Sequence, residues 1–251
     1  MSRRNDKMSI SARQEEIMKI VSERTYVSVS ELARLTYTSP SSIRRDLTAM
    51  QNVGLVKRSH GGVSLPESVN VVASYYDRTH RNIKEKRAIA KKASELLRDG
   101  QSIMLDGSST ASFMLPYIAK LDSAVVFTNN LETALASIKL GIETHCLGGR
   151  SVGGSAAMMG SEACKALADI SVDILFFASQ SLGDDGVISD SAEEENYLRR
   201  LMLEHAKTTV FLCDSEKFGC SSLYRLAHVD DVDYAVFDKP YEGLKTKTRL
   251  I

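Results

Sequence analysis

From residue 83 onward, short apolar runs alternate with helical segments, and that alternation restricts the fold more than any other feature of the 251 residues. The spacing predicts a helix from Ile83 to Leu97, with Ile89, Ala90, Ala93, Leu96 and Leu97 on its core face. Strands are predicted at Ser102–Leu105, Ala124–Thr128, Glu143–Leu147, Asp173–Ala178, Thr208–Cys213 and Tyr234–Phe237. Runs that are apolar throughout, rather than alternating with polar residues, belong to strands covered on both faces, so the expected class is α/β with a mainly parallel sheet. At roughly 150 residues per domain, the length also leaves room for a second, smaller unit.

Charge locates that unit. Residues 1–64 hold 11 Lys/Arg against 6 Asp/Glu, whereas residues 65–251 hold 21 against 26, so a formal net charge of zero is the sum of a basic head and an acidic body. The body repels polyanions and the head attracts them. Between them, residues 65–80 lose periodicity, as a connector does, which gives domains 1–64 and 81–251.

The head reads as three short helices and a hairpin. Ser11-Ala-Arg-Gln14 and Ser28-Val-Ser-Glu31 have the form of capping boxes. Ser39 is a cap and Pro40 suits a first helical position, after which Ile43, Leu47 and Met50 recur at helical spacing. That stripe faces inward and leaves Ser41, Ser42, Arg44, Arg45 and Thr48 outward, with Asp46 an acidic exception expected to pair with an arginine. Gly54 stops the helix; Leu55 to Arg58 and Val63-Ser64 flank the turn Ser59-His60-Gly61-Gly62. This is the layout of a winged helix-turn-helix, whose third helix enters the major groove of duplex DNA. The candidate DNA contacts are Ser39, Ser41, Ser42, Arg44, Arg45 and Thr48 on that helix, with Lys57, Arg58 and His60 on the wing. The alternative is a protein-binding helical subdomain with an ordinary solvated basic face. The polar face of short hydroxyl donors and two arginines is poorly explained that way.

Arg13-x3-Ile17, Val29-x-Glu31-Leu32-Ala33, Ser42-Ile43-Arg44-Arg45-Asp46-Leu47 and Gly54-Leu55-Val56-x-Arg58-x-His60-Gly61-Gly62-Val63 together resemble the DeoR-type DNA-binding domain. Ser42 stands where that family more often has threonine, and the hydroxyl is retained.

In open α/β sheets ligands sit beyond the carboxyl ends of the strands. Four such loops carry small polar residues: Asp106-Gly107-Ser108-Ser109-Thr110, Thr128-Asn129-Asn130, Gly148-Gly149-Arg150 and Asp214-Ser215-Glu216-Lys217. Any one of them is as readily a plain turn; Asn130 suits a helix cap and Lys217 a solvated loop. Amides, hydroxyls and cations on one rim together suit a dianion that also carries hydroxyls, so a small phosphorylated polyol is the expected ligand. Asp184-Asp185-Gly186, Asp190 and Glu193-Glu194-Glu195 read as a turn and an acidic first helical turn, with the general bases of an aldose–ketose isomerase as the alternative.

The same loops, with Gly160-Ser161-Glu162 and the Asp-Ser-Glu-Lys-Phe-Gly run, resemble the sugar-phosphate-sensing domain of DeoR-type regulators, which is similar in fold to ribose-5-phosphate isomerase. The resemblance implies a repressor of a sugar-metabolism operon that binds a sugar phosphate without turning it over; the two half-sites of operator DNA in turn call for a homo-oligomer, a dimer or a tetramer. It implies effector contacts at Asp106 to Thr110, Thr128 to Asn130, Gly148 to Arg150 and Lys217. The segment Ala178-Ser179-Gln180-Ser181 departs from a more glycine-rich pattern, and Ser181 is expected to narrow the site.

Other classes fall away. Cys146, Cys164, Cys213 and Cys220 contain no Cys-x-x-Cys pair, which disfavours a zinc ribbon and a disulfide scaffold; neither metal nor cofactor is expected. The longest purely apolar run, Ile174 to Ala178, is far shorter than the roughly 20 residues of a membrane span, and the basic start leads into no apolar stretch. A cytoplasmic protein is the expectation.

Overall fold

The computed structural model describes residues 12–22, 26–52, 55–59, 61–64, 75–151 and 155–251, which divide into two compact units, Met1–Asn70 and Val71–Ile251. The expected cap at Ser11, the helix stop at Gly54 and the wing residue His60 lie outside the described residues.

In the first unit α1 (Ala12–Ser22) is followed by β1 (Val27–Ser28), α2 (Val29–Leu35), α3 (Pro40–Asn52), β2 (Lys57–Ser59) and β3 (Gly62–Ser64). The Ser28 hydroxyl accepts the Glu31 N–H at 3.1 Å and so caps α2, as the sequence predicts. Ile43, Leu47 and Met50 of α3 are buried with Ile17 and Val21 of α1 and Leu32 of α2. Asp46 departs from the expectation. It is buried, and it accepts hydrogen bonds from Arg13 of α1 at 2.5 and 3.2 Å instead of standing on the outward face. The pairing with an arginine is there, but the spacing of residues 43, 46, 47 and 50 puts Asp46 on the inner stripe. The hairpin β2–β3 is antiparallel with Gly61 at φ +78° in its turn. The two-residue β1 adds a third strand against β3, too short to leave a periodic signal.

The second unit opens with α4 (Tyr75–His80), so the last six residues of the expected connector are helical and packed, with Tyr75 buried and its hydroxyl 3.0 Å from that of Thr133. Then come α5 (Ile83–Ala93), β4 (Ser102–Leu105), α6 (Leu115–Ile118), β5 (Val125–Thr128), α7 (Leu131–Lys139) and β6 (Glu143–Cys146). A hairpin of β7 (Arg150–Ser151) and β8 (Met158–Met159) leads to α8 (Ser161–Ala168) and β9 (Ile174–Phe177). The chain continues through β10 (Ser181–Leu182), β11 (Val187–Asp190), α9 (Glu193–Glu204) and β12 (Thr209–Cys213). It closes with β13 (Tyr224–His228), β14 (Tyr234–Phe237) and β15 (Arg249–Leu250).

Seven of these strands form one sheet in the order β15-β14-β12-β9-β4-β5-β6, and every neighbouring pair in it is parallel. Its central strands are buried on both faces with period two. Ile103, Leu105, Ile174, Phe176, Val210 and Leu212 pack under α5 and α6, whereas Met104, Leu175, Phe177, Phe211 and Cys213 pack under α8 and α9. Each fully buried phenylalanine contributes about 1.5–3 kcal/mol, so the two cores hold the helices on both sides. All six predicted strands are present; β15 is the seventh, and β10, β11 and β13 form a separate antiparallel sheet. The chain runs outward from β4 to β5 and β6, then crosses back to β9 and runs outward the other way. The switch point therefore lies between β4 and β9, where a crevice opens at the carboxyl ends of the strands.

Candidate functional site

The first unit presents a basic surface on α3 and the wing. Ser41, Arg44, Arg45 and Thr48 are exposed, and among the described residues neither arginine forms an ion pair. The amino end of α3 is held by a hydroxyl cluster: the Ser39 hydroxyl accepts the Ser42 N–H at 3.3 Å and lies 2.9 and 3.0 Å from those of Ser41 and Ser42. The wing is tied to the same helix, since Arg58 donates to the Thr48 hydroxyl at 2.8 Å and that hydroxyl donates to the Arg44 carbonyl at 2.8 Å. Lys57 and Arg58 are exposed on β2. A surface of free guanidinium groups and short hydroxyls on one helix is suited to base edges and phosphates.

In the second unit a cleft of about 80 Å³ lies at the switch point, lined by Arg78, Ser108, Ser109, Thr110, Gln180 and Lys217 among others. It shares Gly107, Glu195 and Arg199 with a smaller cavity of about 10 Å³ that Asn129 and Ala157 also line. Lys217 pairs with Asp214 at 3.2 Å. Beneath the loop after β4 lies Lys86 of α5, which donates to the Ser109 hydroxyl at 3.1 Å, to the Arg81 carbonyl at 2.8 Å and to the Arg78 carbonyl. Burial, followed by repulsion from Lys217, lowers the Lys86 pKa to about 8. Lys86 thus bonds Ser109, and a second cation, Lys217, lines the same cleft.

Asp106, at the end of β4, is fully buried and does not face the cleft as a free carboxylate. One of its oxygens accepts the N–H and hydroxyl of Ser108; the other accepts Arg199 Nε at 2.9 Å and the Ala178 N–H at 3.4 Å. Arg199 of α9 also reaches Asp190 at 3.3 Å and Glu195 at 3.5 Å. Burial works against its charge, but the three carboxylates outweigh that and raise its pKa. The cluster stitches α9 to the loops after β4 and β9 and fixes the shape of the crevice.

Of the residues expected to contact an effector, Asp106 to Thr110, Asn129 and Lys217 come together at the crevice. Thr128 and Asn130 are fully buried and engaged in local structure. Asn130 caps α7 by accepting the Thr133 N–H at 2.9 Å, and Thr128 accepts the Asn130 N–H at 3.1 Å. Gly148, Gly149 and Arg150 line neither cavity; Arg150 pairs instead with Glu194. The Ser181 hydroxyl bonds that of Ser222 at 2.7 Å and does not narrow the cleft, whereas Ser179 and Gln180 line it. The sequence reading missed Arg78, Lys86 and Arg199, and gave Asp190 and Glu195 a place in a site only under the isomerase alternative. Two carried a signal: Lys86 shares the stripe of Ile89, Ala90 and Ala93, and Arg199 that of Leu198 and Met202, and a charge on a core stripe needs a partner. Among the described residues no group of His, Cys, Asp and Glu is arranged to hold a metal, and no helix is long and apolar enough to cross a membrane.

Comparison with known proteins gives two family matches, the DeoR-like helix-turn-helix domain over residues 13–69 and the DeoR C-terminal sensor domain over residues 81–239. The chain is 30% identical to the HTH-type transcriptional regulator GolR of Listeria innocua, over 90% of this chain and 89% of that one. It is 26% identical to the glycerol-3-phosphate regulon repressor of Haemophilus influenzae, over 97% of each. Among solved structures it is similar to ribose 5-phosphate isomerase A of Methanocaldococcus jannaschii, at 18% identity, a TM-score of 0.41 and 55% of each chain.

Proposed function

This chain belongs to the DeoR family of helix-turn-helix transcriptional regulators, and from that premise we propose that it represses a sugar-metabolism operon until a phosphorylated sugar enters the crevice of its sensor domain. The observation that carries the effector is a cleft at the switch point lined by Ser109 and Lys217, with Lys86 bonded to the Ser109 hydroxyl and repelled by Lys217. A phosphate placed over Ser109 and Lys217 relieves the repulsion between the two ammonium groups and gains charge-assisted hydrogen bonds. Relatives named as repressors of a glycerol-3-phosphate regulon support the same ligand chemistry. The crevice binds without turnover: Asp106, Asp190 and Glu195 are engaged by Arg199 and are not poised as free bases.

On the DNA side Arg44 and Arg45 read base edges or phosphates, Ser41 and Ser42 contact the groove edge, and Lys57 and Arg58 lie along the backbone. Two half-sites require two heads, so the protein acts as a homo-oligomer. The body offers a face for this: Leu131, Leu135 and Ile138 of α7, spaced i, i+4, i+7, are 49%, 48% and 60% exposed beside the open edge strand β6. Leu135→Glu with Ile138→Glu is expected to shift the protein to smaller species in size-exclusion chromatography. Operator release tests the function. In a gel-shift titration a sugar phosphate dissociates the complex, whereas turnover of that compound at ordinary enzyme rates would replace this reading with the isomerase one.

A further inference from the structure

The crevice has a second pole, at Asn129. This residue is 4% exposed, and both its side chain and its backbone are held by the β7–β8 hairpin: Nδ2 donates to the Met158 carbonyl at 3.0 Å, and the Asn129 backbone carbonyl accepts the Met158 N–H at 2.6 Å. That contact fixes which way the amide points, because exchanging its nitrogen and oxygen would set two oxygens 3.0 Å apart. The Oδ1 atom is left with no donor, the one buried side-chain polar atom of which this is true among the described residues. Among the described residues every other buried side-chain polar atom has a partner, Asp106 with four donors, so the exception calls for an occupant.

The small cavity that Asn129 lines is about 10 Å³, room for one water-sized group, and Gly107, Glu195 and Arg199 join it to the larger cleft. Gly107 keeps the junction open: a Cβ there would lie 2.8 Å from that of Ala157 and 3.5 Å from the Asn129 amide. The polarity of this end is opposite to that of Lys217. The Arg199 guanidinium is fully engaged by Asp106, Asp190 and Glu195, three carboxylates to one cation, so what remains to be offered inward is acceptor oxygen. A phosphate is repelled there and a hydroxyl is welcomed.

Building on the phosphate site proposed above, we infer that Asn129 is the residue that recognises the sugar itself: Oδ1 accepts a hydrogen bond from an effector hydroxyl that reaches inward past Gly107 while the phosphate stays at the Lys217 end. The ligand class is then a polyhydroxy phosphate monoester, and an alkyl phosphate of equal length and charge is rejected because it leaves Oδ1 buried without a donor.

Calorimetric titration of the full chain tests this with glycerol 3-phosphate, erythritol 4-phosphate, ribitol 5-phosphate and sorbitol 6-phosphate, each paired with the alkyl phosphate of the same carbon count. Free polyols and inorganic phosphate complete the panel. At least one polyol phosphate is expected to bind about tenfold or more tightly than its alkyl partner. In Asn129→Leu and, separately, in Gly107→Ala that preference shrinks to within about twofold; the wild-type pairs decide the matter even if a variant fails to fold. Equal binding of both members of every pair overturns the inference and leaves the phosphate site standing. Binding of free polyols but of no phosphate overturns the phosphate site and supports the reading of Asn129. Binding of neither class overturns both.

Discussion

The head and the body use arginine in opposite ways. On α3, Arg44 and Arg45 stand in solvent with no carboxylate partner among the described residues. In the body, Arg199 is 5% exposed and surrounded by Asp106, Asp190 and Glu195. An uncompensated exposed cation is free to meet a polyanion; a compensated buried one has no interaction left to offer and instead holds a loop in shape. Function is thus read from which cations lack full compensation, and in the body these are Lys86, which hydrogen-bonds to neutral oxygens, and Lys217, which shares the single carboxylate of Asp214.

The contrast is broken most directly at Arg199. Replacing it by methionine keeps its bulk but leaves two buried carboxylates and the half-buried Glu195 without a cation, and an expected loss of about 3–5 kcal/mol should appear as a large fall in thermal unfolding temperature. Arg44→Ala and Arg45→Ala should move stability by no more than about 0.5 kcal/mol. Each is expected to lose about 1–3 kcal/mol of operator affinity, and the double variant to lose its gel shift at physiological salt. Normal operator binding by the double variant would show that α3 is not the reading helix.

Within the body, Lys217→Ala removes one charge-assisted contact to phosphate. Operator binding should persist while the effector concentration needed for release rises about 10- to 100-fold, as read by titrated gel shifts. The smallest effect is on pH. Lys86 has a pKa of about 8 in the free protein, and an anion bound beside it raises that value, so binding takes up a proton above pH 8. Effector affinity is therefore expected to fall as pH rises through about 8. Calorimetry in two buffers of different ionisation enthalpy should show the proton uptake, and a flat profile would put the anion away from Lys86.

Much of this was legible in the residues because local signals agreed with global ones. The capping pattern at Ser28 and the apolar runs of the central strands reappear as a capped helix and a parallel sheet. The two-residue strands β1 and β15 were not legible, because pairing that short is set by tertiary contact and not by any periodicity. The site was half legible. Loops after strands revealed Ser108, Ser109, Asn129 and Lys217, but not that Gly148 to Arg150 turn away into a hairpin. Nor does spacing alone show that Asp106, Asp190 and Glu195 converge on one arginine 93 residues after the first of them. Charges that find their partners across such a separation are placed by the fold, and only their position on an apolar stripe hints at it in advance.

The central claim is that the body recognises a phosphate carried on a sugar. It is tested most directly by thermal unfolding of the full chain with sugar phosphates, each compared with its unphosphorylated sugar. For at least one pair the phosphorylated member, at about 100 times its dissociation constant, should stabilise the protein by about 2.7 kcal/mol while the free sugar leaves it unchanged. Equal stabilisation by both members, or by none of the phosphates, would contradict it.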